Sequence, residues 1–533
     1  MWLENVQKGS ELFLELERIK NNIKEINNRF NCGIKFGTAG VRGLIGAGTN
    51  RLNIFTIAKI TQAVSGFAIE NFKNPSVAIA FDTRKNSLLF ANTAAMVFAA
   101  NDLKVFVFDK TEPTPLLSFA VRYLGCSLGV MITASHNPAQ YNGYKLYGED
   151  GSQIDDVTEI YNKLENIDIF CDIKYSDFES ELSSGKIEYI KNAVKKEYIK
   201  NVLSLLDESK LNNLSVTYSP LNGCAGEIFC GISKNLGIKL NVVKKQEFAD
   251  ENFTTCKIPN PEKKEAFGLS FKLAEEKKSN LIILNDPDGD RMSAAVKNGN
   301  DYTILSGNEV AALFLNYIIE KKPKDFFKKN KCVIIKSIVS GGLTDEIARE
   351  NGIEIIKTLT GFKHIGKQIR NLESKNEINR FLIGFEESCG YLLDSYIRDK
   401  DGIAAGIKIC EITNYYMQEN LTLLDVLKNL YNKFGYYIEK TIPFSIKFDT
   451  EELQQKFENI STNKFENFGF FFIDKKIDKI AEENQNKNNI FIRASGTEPI
   501  LKFYILANGK NKSSALLNFQ NMKDFVLDFC SKI

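Results

Sequence analysis

The sequence predicts an α/β fold of three related α/β domains with mixed sheets, followed by a smaller C-terminal α+β domain. Short apolar runs alternate with helical segments through most of the chain, which is the βαβ pattern of a largely parallel or mixed sheet. A chain of 533 residues is too long for a single hydrophobic core, so several domains are expected. Near the C-terminus the pattern changes to strands that we expect to pair antiparallel.

We expect domain boundaries that divide the chain into residues 1–207, 208–304, 305–428 and 429–533. Residues 3–31 carry apolar positions at helical spacing, which predicts a surface helix leading into the first domain. Within that domain, Val77–Phe81 and Lys104–Phe108 read as strands on either side of a helix over Ser87–Ala100.

Composition excludes several classes of protein. The 69 basic and 67 acidic residues leave a net charge of +2, which argues against a nucleic-acid or membrane-surface partner recognised by bulk charge. The ten cysteines form no CxxC pair, so neither a zinc site nor a disulfide framework is expected. The polar N-terminus is unlike a signal peptide, and no apolar run approaches the ~20 residues of a membrane span. We therefore expect a cytoplasmic protein.

A glycine-rich segment, Lys35–Asn53, precedes the first predicted strand. Its glycines match neither the dinucleotide-binding pattern nor a phosphate-binding P-loop. It reads either as flexible backbone that lines a site, with Arg42 projecting into it, or as a plain connector.

The segment SLGVMITASHNPAQYNGYKLY, Ser127–Tyr147, is the centre of the first domain. An apolar strand, Leu128–Ile132, stops at a turn that contains Pro138, because proline cannot continue a ladder. Ser135 therefore lies at a strand end, where α/β sheets usually place their active sites. With His136 beside it and Lys145 a short loop away, its hydroxyl is a candidate phosphoryl acceptor. The alternative is an ordinary polar turn.

The second domain ends in the apolar strand Leu281–Asn285 followed by DPDGDR. Asp286, Asp288 and Asp290 are spaced to share one face of an extended segment. Carboxylates this close repel unless a cation lies between them, and an all-oxygen ligand set with a phosphate favours Mg²⁺. An EF-hand is excluded because it needs glycine and glutamate where Arg291 and Lys297 stand. A solvated acidic turn is the alternative.

The third and fourth domains carry further polar segments. GFEES, Gly384–Ser388, places carboxylates and a hydroxyl at a strand end, and TGFKHIG, Thr360–Gly366, is a second loop nearby in sequence. GFEES suits either the hydroxyls of a sugar or the acid-rich start of a helix. RASGTEP, Arg493–Pro499, combines a guanidinium, two hydroxyls and the backbone amides around a glycine, and together these groups can bind a phosphate dianion. The alternative is a hairpin turn that carries polar side chains.

Taken together and in this order, FGTAGVRG, TASHNPAQYNGYKLY, DPDGDR, GFEES and RASGTEP resemble the signature loops of the α-D-phosphohexomutase family, the phosphoglucomutases and phosphomannomutases. The serine segment looks most like the phosphoglucomutase-2 and phosphopentomutase branch. The resemblance covers nearly the whole chain and implies four domains around a central active-site cleft. The roles it implies are catalytic for Ser135, His136, Lys145 and Arg42; metal-binding for Ser135, Asp286, Asp288 and Asp290; substrate-binding for Arg291, Thr360, Gly361, Lys363, Glu386 and Ser388; and phosphate-binding for Arg493, Ser495, Gly496 and Thr497.

The resemblance further implies a mutase that interconverts hexose 1-phosphate and hexose 6-phosphate through a phosphoserine and a bisphosphorylated sugar. Glucose is the expected sugar, with mannose and pentose as alternatives; a Mg²⁺-dependent sugar phosphatase and a non-catalytic phosphosugar sensor are alternatives of another class. The expected cofactors are one Mg²⁺ per subunit and glucose 1,6-bisphosphate. The expected partners are small sugar phosphates only, in a monomer or homodimer.

Overall fold

The computed structural model describes residues 1–34, 40–445, 469–473, 488–494 and 500–531. The described residues form two compact units: unit 1 comprises Met1–Tyr302 with Asp394–Ile407, and unit 2 comprises Thr303–Leu393 with Lys408 onward. None of the helices formed by the described residues has the length and apolar character required to cross a lipid bilayer.

In unit 1, the predicted single leading helix is wrong, because the segment is divided by helix caps. It forms α1 (Trp2–Asn5), α2 (Glu11–Ile19) and α3 (Ile23–Phe30). The side chains of Ser10 and Asn22 accept hydrogen bonds from backbone amides of the helices that follow them. Each cap satisfies amides that would otherwise be orphaned and so starts a new helix.

The first sheet of unit 1 runs in the order β1-β5-β4-β2-β3-β6. Strands β2, β3, β4 and β6 pair in parallel, while β5 is antiparallel to both β4 and β1. The strands are β1 (Val41–Leu44), β2 (Ser76–Phe81), β3 (Lys104–Val107), β4 (Leu128–Ile132), β5 (Tyr141–Gly148) and β6 (Ile187–Tyr189). The helices are α4 (Ile54–Asn71), α5 (Ser87–Ala100), α6 (Thr114–Leu124), α7 (Thr158–Glu165), α8 (Phe178–Ser184) and α9 (Asn192–Ser204).

The second sheet of unit 1 runs in the order β11-β10-β9-β7-β8. Its central strands β7, β8 and β9 are parallel, and β10 returns antiparallel beside β9. The elements are β7 (Ser215–Ser219), α10 (Gly226–Asn235), β8 (Lys239–Val242), α11 (Gly268–Lys277), β9 (Leu281–Asn285), β10 (Met292–Asn298) and β11 (Asp301–Ile304). Short 3₁₀ turns cover Lys244–Gln246 and Lys264–Phe267.

In unit 2, the third sheet runs in the order β13-β12-β14-β15. Strand β12 is parallel to both β13 and β14, and β15 is antiparallel to β14. The elements are α12 (Gly307–Glu320), α13 (Phe326–Lys329), β12 (Val333–Ser337), α14 (Leu343–Glu350), β13 (Glu354–Thr358), α15 (Phe362–Ser374), a 3₁₀ turn (Ile378–Arg380), β14 (Phe381–Glu386), β15 (Gly390–Leu392), α16 (Gly402–Gln418), of which residues 402–407 belong to unit 1, and α17 (Leu423–Phe434).

The fourth sheet runs in the order β16-β19-β18-β17 and packs under the C-terminal helix. The expectation of antiparallel strands is wrong for one pair, since β17 and β18 are parallel. The direction in which two strands pair is not encoded in the alternation of side chains along either strand, so local periodicity does not reveal it. The elements are β16 (Tyr436–Ser445), β17 (Gly469–Phe472), β18 (Asn489–Ala494), β19 (Ile500–Gly509) and α18 (Lys512–Ser531). The helix predicted near residues 451–460 lies outside the described residues.

Strand β16 is fixed to α12 and to the residue that precedes α14 through Glu439. Its carboxylate accepts hydrogen bonds from Asn308 Nδ2 at 2.6 Å and from the Gly342 amide at 3.1 Å. Burial raises the pKa of Glu439 to about 7, although the bond from Asn308 and the charge of Lys336 oppose that rise. This carboxyl therefore titrates near neutral pH.

The predicted fold class is confirmed: three α/β domains with mixed sheets precede a smaller C-terminal α+β domain. The numerical domain boundaries stay predictions.

Candidate active site

Ser135 lies on a turn directly beyond β4, as the sequence predicts. It is 1% exposed, and its backbone has a left-handed φ of +51°, which is costly for a residue with a Cβ atom. Its Oγ donates a hydrogen bond to Asp286 Oδ2 at 2.8 Å and lies 3.2 Å from His136 Nδ1. The structure thus joins the serine turn of the first sheet to the aspartate loop of the second.

The three aspartates meet on a turn, which corrects the expected extended segment. The Gly289 amide donates to the Asp286 carbonyl at 2.9 Å, and Gly289 has a positive φ of +69°. Glycine adopts this conformation without a steric cost. The fold of the turn, and not the alternation of a strand, therefore brings the carboxylates together.

The aspartate loop fits a hard divalent cation. Ligand oxygens of Asp286, Asp288 and Asp290 all lie within 4.8 Å of one another, and the three residues are buried. The Oδ1 atoms of Asp288 and Asp290 are buried without a hydrogen-bond partner among the described residues. Buried carboxylate oxygens need a donor or a cation, so the unsatisfied oxygens are available as metal ligands.

Lysines neutralise part of this negative charge. Lys145 Nζ contacts Asp288 Oδ2 at 2.7 Å and Asp290 Oδ2 at 3.2 Å, while Lys400 Nζ contacts Asp290 Oδ2 at 3.2 Å. Burial alone would raise the pKa of Asp290, but these cations hold it below its usual value. Burial and the neighbouring Asp290 and Asp288 charges raise the pKa of Asp286 well above its usual value.

Lys400 is a site residue that the sequence reasoning missed. It belongs to the segment Arg398–Asp401, whose four consecutive charged residues are all buried in unit 1. Four charges in succession immediately before an apolar helix are unusual, and that pattern was the available signal. Thr114 was missed as well; its Oγ1 donates to Asp288 Oδ2 at 2.9 Å.

Arg42 lies on strand β1, not on the flexible glycine-rich backbone expected from the sequence. Its Nη1 donates to Asn137 Oδ1 at 3.0 Å, within the serine turn. Burial, with the Arg291 and Arg42 charges, lowers the pKa of His136 well below its usual value. Arg291 pairs with Glu262 at 2.5 Å, and its amide donates to Asp286 Oδ1 at 2.9 Å.

The remaining predicted residues lie in unit 2. Glu386 ends strand β14, and its Oε1 accepts the Gly361 amide at 2.7 Å, so the segments GFEES and TGFKHIG adjoin. Thr360 is buried beside Gly361, Ser388 lies on the turn after β14, and Lys363 lies in the first turn of α15 instead of in a loop.

Arg493 lies on β18 in unit 2 and is half-buried. The other residues of the predicted phosphate loop, Ser495, Gly496 and Thr497, fall outside the described residues.

Comparison with known proteins identifies relatives along most of the chain. Residues 33–169, 196–299 and 306–434 match, in turn, the α/β/α domains I, II and III of "Phosphoglucomutase/phosphomannomutase". A phosphoglucomutase from Staphylococcus haemolyticus is 34% identical over 512 residues, covering 90% of this chain and 92% of the relative.

Solved structures share the fold. A phosphoglucomutase/phosphomannomutase family protein from Burkholderia thailandensis superposes with a TM-score of 0.70 at 18% identity, covering 93% of this chain and 97% of that chain. A "putative phosphomannomutase" from Thermus thermophilus gives a TM-score of 0.68 at 19% identity, covering 92% of this chain and 99% of that chain.

Proposed function

Because this chain belongs to the phosphoglucomutase/phosphomannomutase family and is a phosphohexomutase, we propose that it interconverts glucose 1-phosphate and glucose 6-phosphate. The observation that carries the proposal is the 2.8 Å hydrogen bond from Ser135 Oγ to Asp286, within a buried cluster of three carboxylates. A hydroxyl beside a divalent-cation site is the arrangement that phosphoryl transfer requires. The name of the staphylococcal relative, phosphoglucomutase, supports glucose as the sugar.

In the proposed reaction, the phosphoryl group of phospho-Ser135 passes to the free hydroxyl of the sugar phosphate. The P–Oγ bond breaks as a bond forms from phosphorus to the sugar oxygen, and that oxygen loses its proton. The product is glucose 1,6-bisphosphate. The bisphosphate then presents its other phosphate. The P–O bond to the sugar breaks as a bond forms from phosphorus to Ser135 Oγ, and the freed sugar oxygen takes up the proton that the first transfer released. The serine is thus restored, and the sugar leaves with its phosphate moved.

Residues of unit 1 hold the charges of this transfer. We assign Asp286, Asp288, Asp290 and the phosphate on Ser135 as the ligands of one Mg²⁺, which when bound offsets charge on the transferring group. Lys145, within 2.7 Å of Asp288, keeps the carboxylates in place and supplies a positive charge beside them.

Three further residues of unit 1 orient the serine turn and move the proton. His136, with Nδ1 3.2 Å from Ser135 Oγ, is adjacent to the reacting oxygen and is assigned to accept the proton of the sugar hydroxyl. Arg42 orients the serine turn through Asn137, and Arg291 contacts the substrate.

We assign to residues of unit 2 the sugar-binding and phosphate-binding roles that the resemblance to the family implies. Glu386 and Ser388 read hydroxyls of the sugar ring, with Thr360, Gly361 and Lys363 as further ligand contacts. Arg493, Ser495, Gly496 and Thr497 hold the phosphate that is not reacting. The hydrogen bond between Gly361 and Glu386 supports treating the segments TGFKHIG and GFEES as one sugar-binding element.

We propose that glucose 1,6-bisphosphate is the activator as well as the intermediate, because an unphosphorylated serine needs a phosphoryl donor to begin the cycle. Small sugar phosphates are the proposed partners of a monomer or homodimer acting in the cytoplasm.

Incubation of the purified chain with glucose 1-phosphate, Mg²⁺ and a trace of glucose 1,6-bisphosphate tests the proposal. Glucose 6-phosphate as the product supports it, whereas free phosphate identifies a phosphatase and an unchanged substrate identifies a sensor. Parallel incubations with mannose 1-phosphate and ribose 1-phosphate establish the sugar, and a faster reaction with either would replace glucose in the assignment.

A further inference from the structure

The serine turn must be held in place by contacts with other residues, because Ser135 adopts a left-handed conformation with φ +51°. A residue with a Cβ atom keeps such a conformation only when its surroundings enforce it. A hydroxyl that reacts in line must also be held within a fraction of an ångström of its productive position.

Arg84, three residues beyond the end of β2, makes such contacts. Its Nη2 donates to the carbonyl oxygens of Ser135 and of Asn137, the latter at 2.6 Å. Its Nη1 donates to the carbonyls of Pro138 at 2.9 Å and Tyr141 at 3.1 Å. One planar guanidinium therefore fixes four carbonyls between residues 135 and 141, which its fixed fork of donors permits and a lysine ammonium does not.

Asp82 holds the backbone amide of Ser135 through Thr133. Its Oδ2 accepts from Thr133 Oγ1 at 2.6 Å, and Thr133 Oγ1 accepts the Ser135 amide at 2.8 Å. Asp82 also forms an ion pair with Arg84 Nε at 3.2 Å and accepts Ser87 Oγ at 2.7 Å. The N–H and the C=O of Ser135 are thus both tied to one buried ion pair.

The surroundings make this ion pair rigid. Asp82, Arg84 and Thr133 are only 1%, 3% and 0% exposed, and the guanidinium lies over the Phe253 ring at 5.0 Å from its centroid. Neither charged side chain contacts the aspartate triad in the hydrogen bonds and ion pairs described above. Their hydrogen bonds reach the serine turn through its backbone carbonyls and through Thr133, which holds the Ser135 amide.

We propose that Arg84, oriented by Asp82, is the positioning residue of the phosphorylated serine: it holds the strained turn so that Ser135 Oγ faces Asp286. The inference rests on the proposed phosphoserine chemistry. Its consequence is that weakening Arg84 slows phosphoryl transfer and leaves sugar-phosphate binding almost unchanged, since the hydrogen bonds of Arg84 go to the turn's backbone and to no assigned sugar-binding residue.

The experiment compares the wild type with Arg84→Lys, Thr133→Val and the control Arg380→Lys. Arg380 also donates to a backbone carbonyl, that of Lys331 at 2.8 Å, and pairs with Glu377 at 2.5 Å. These contacts belong to unit 2, whereas the serine turn belongs to unit 1. For each protein, kcat and KM for glucose 1-phosphate, the melting temperature, and the rate of Ser135 phosphorylation by glucose 1,6-bisphosphate are measured, the last by intact mass.

We expect Arg84→Lys to lower kcat and the phosphorylation rate together by about 100-fold while KM changes less than about threefold. Thr133→Val, which keeps the side-chain shape but removes the bonds to Asp82 and the Ser135 amide, is expected to lower both by about tenfold. Arg380→Lys is expected to leave kcat, KM and the phosphorylation rate unchanged.

Two results would overturn the inference. A folded Arg84→Lys enzyme with kcat within about twofold of the wild type contradicts it, and so does a parallel loss of activity and melting temperature in which KM rises as far as kcat falls. If Arg84→Lys does not fold, Thr133→Val decides by the same criterion. A wild type that never becomes phosphorylated at Ser135 instead refutes the proposed function itself, so the two failures are distinguishable.

Discussion

The close packing of Gly223 against the aspartate loop yields a prediction whose size follows from the structure. A Cβ atom at residue 223 would lie 2.4 Å from Pro287 Cα and 2.5 Å from its carbonyl oxygen. Ordinary carbon–carbon contacts are about 3.5 Å, so Gly223→Ala must push the loop back by about 1 Å. The Cys224 amide, which donates to the Pro287 carbonyl at 2.9 Å, resists that movement.

A displacement of about 1 Å in a catalytic loop costs about 100-fold in rate, and overpacking costs about 1–3 kcal/mol in stability. We therefore expect Gly223→Ala to lower kcat/KM for glucose 1-phosphate by about 100-fold, to raise the Mg²⁺ concentration needed for half-maximal activity, and to lower the melting temperature. The assay couples glucose 6-phosphate formation to NADPH production over a Mg²⁺ titration.

Gly231 provides the matched control, because it lies inside α10 and its added Cβ would meet no atom within 4 Å. Gly231→Ala is expected to keep full activity and to gain about 0.5–1 kcal/mol from the better helix former. If Gly223→Ala retained activity within about threefold of the wild type, with an unchanged Mg²⁺ requirement, the idea that this loop's position controls the reaction would be refuted.

Three further predictions concern charge. Lys400→Met removes a cation 3.2 Å from Asp290, so Mg²⁺ affinity measured by calorimetry should rise by about tenfold or more while turnover falls; unchanged affinity would argue that Lys400 does not face the bound ion. Adding Mg²⁺ at about 100 times its dissociation constant should stabilise the chain by about 2.7 kcal/mol, and Asp290→Asn should lose most of that increase in a thermal-shift assay; an equal shift in both proteins would place the ion elsewhere. Burial raises the pKa of Glu439 from 4.5 to about 7, so the protonated carboxyl stabilises the fold fully below pH 4.5 and this contribution is lost as the pH rises through 7. In Glu439→Gln, the free energy of unfolding measured with urea should change less between these two pH values than in the wild type. A pH profile equal to that of the wild type would contradict the assignment.

Local sequence signals were sufficient where one short segment contains all the information. The apolar run that leads to Ser135 predicted both the strand and the turn, because proline and Asn-Gly act within a few residues. The aspartate spacing likewise identified the carboxylate cluster. The reason given for the cluster was wrong, however, since a turn with Gly289 at positive φ brings the oxygens together.

Long-range contacts could not be read in the same way. Lys400 is far from Asp290 in sequence, yet their side chains are 3.2 Å apart, and no periodicity reports such a pair. Arg84 donates to backbone carbonyls, which every residue has, so no residue type in the sequence marks these contacts. The parallel pairing of β17 with β18 depends on the path of the chain and not on strand composition.

The measurement that tests the central claim most directly follows a labelled phosphoryl group. The chain is incubated with glucose 1,6-bisphosphate carrying ³²P, quenched and digested, and the labelled peptide is identified by mass spectrometry. A single label on Ser135 that chases into glucose 6-phosphate on addition of unlabelled glucose 1-phosphate is the predicted result. A label on another residue, or a Ser135→Ala variant that still interconverts the sugar phosphates at the wild-type rate, would contradict it.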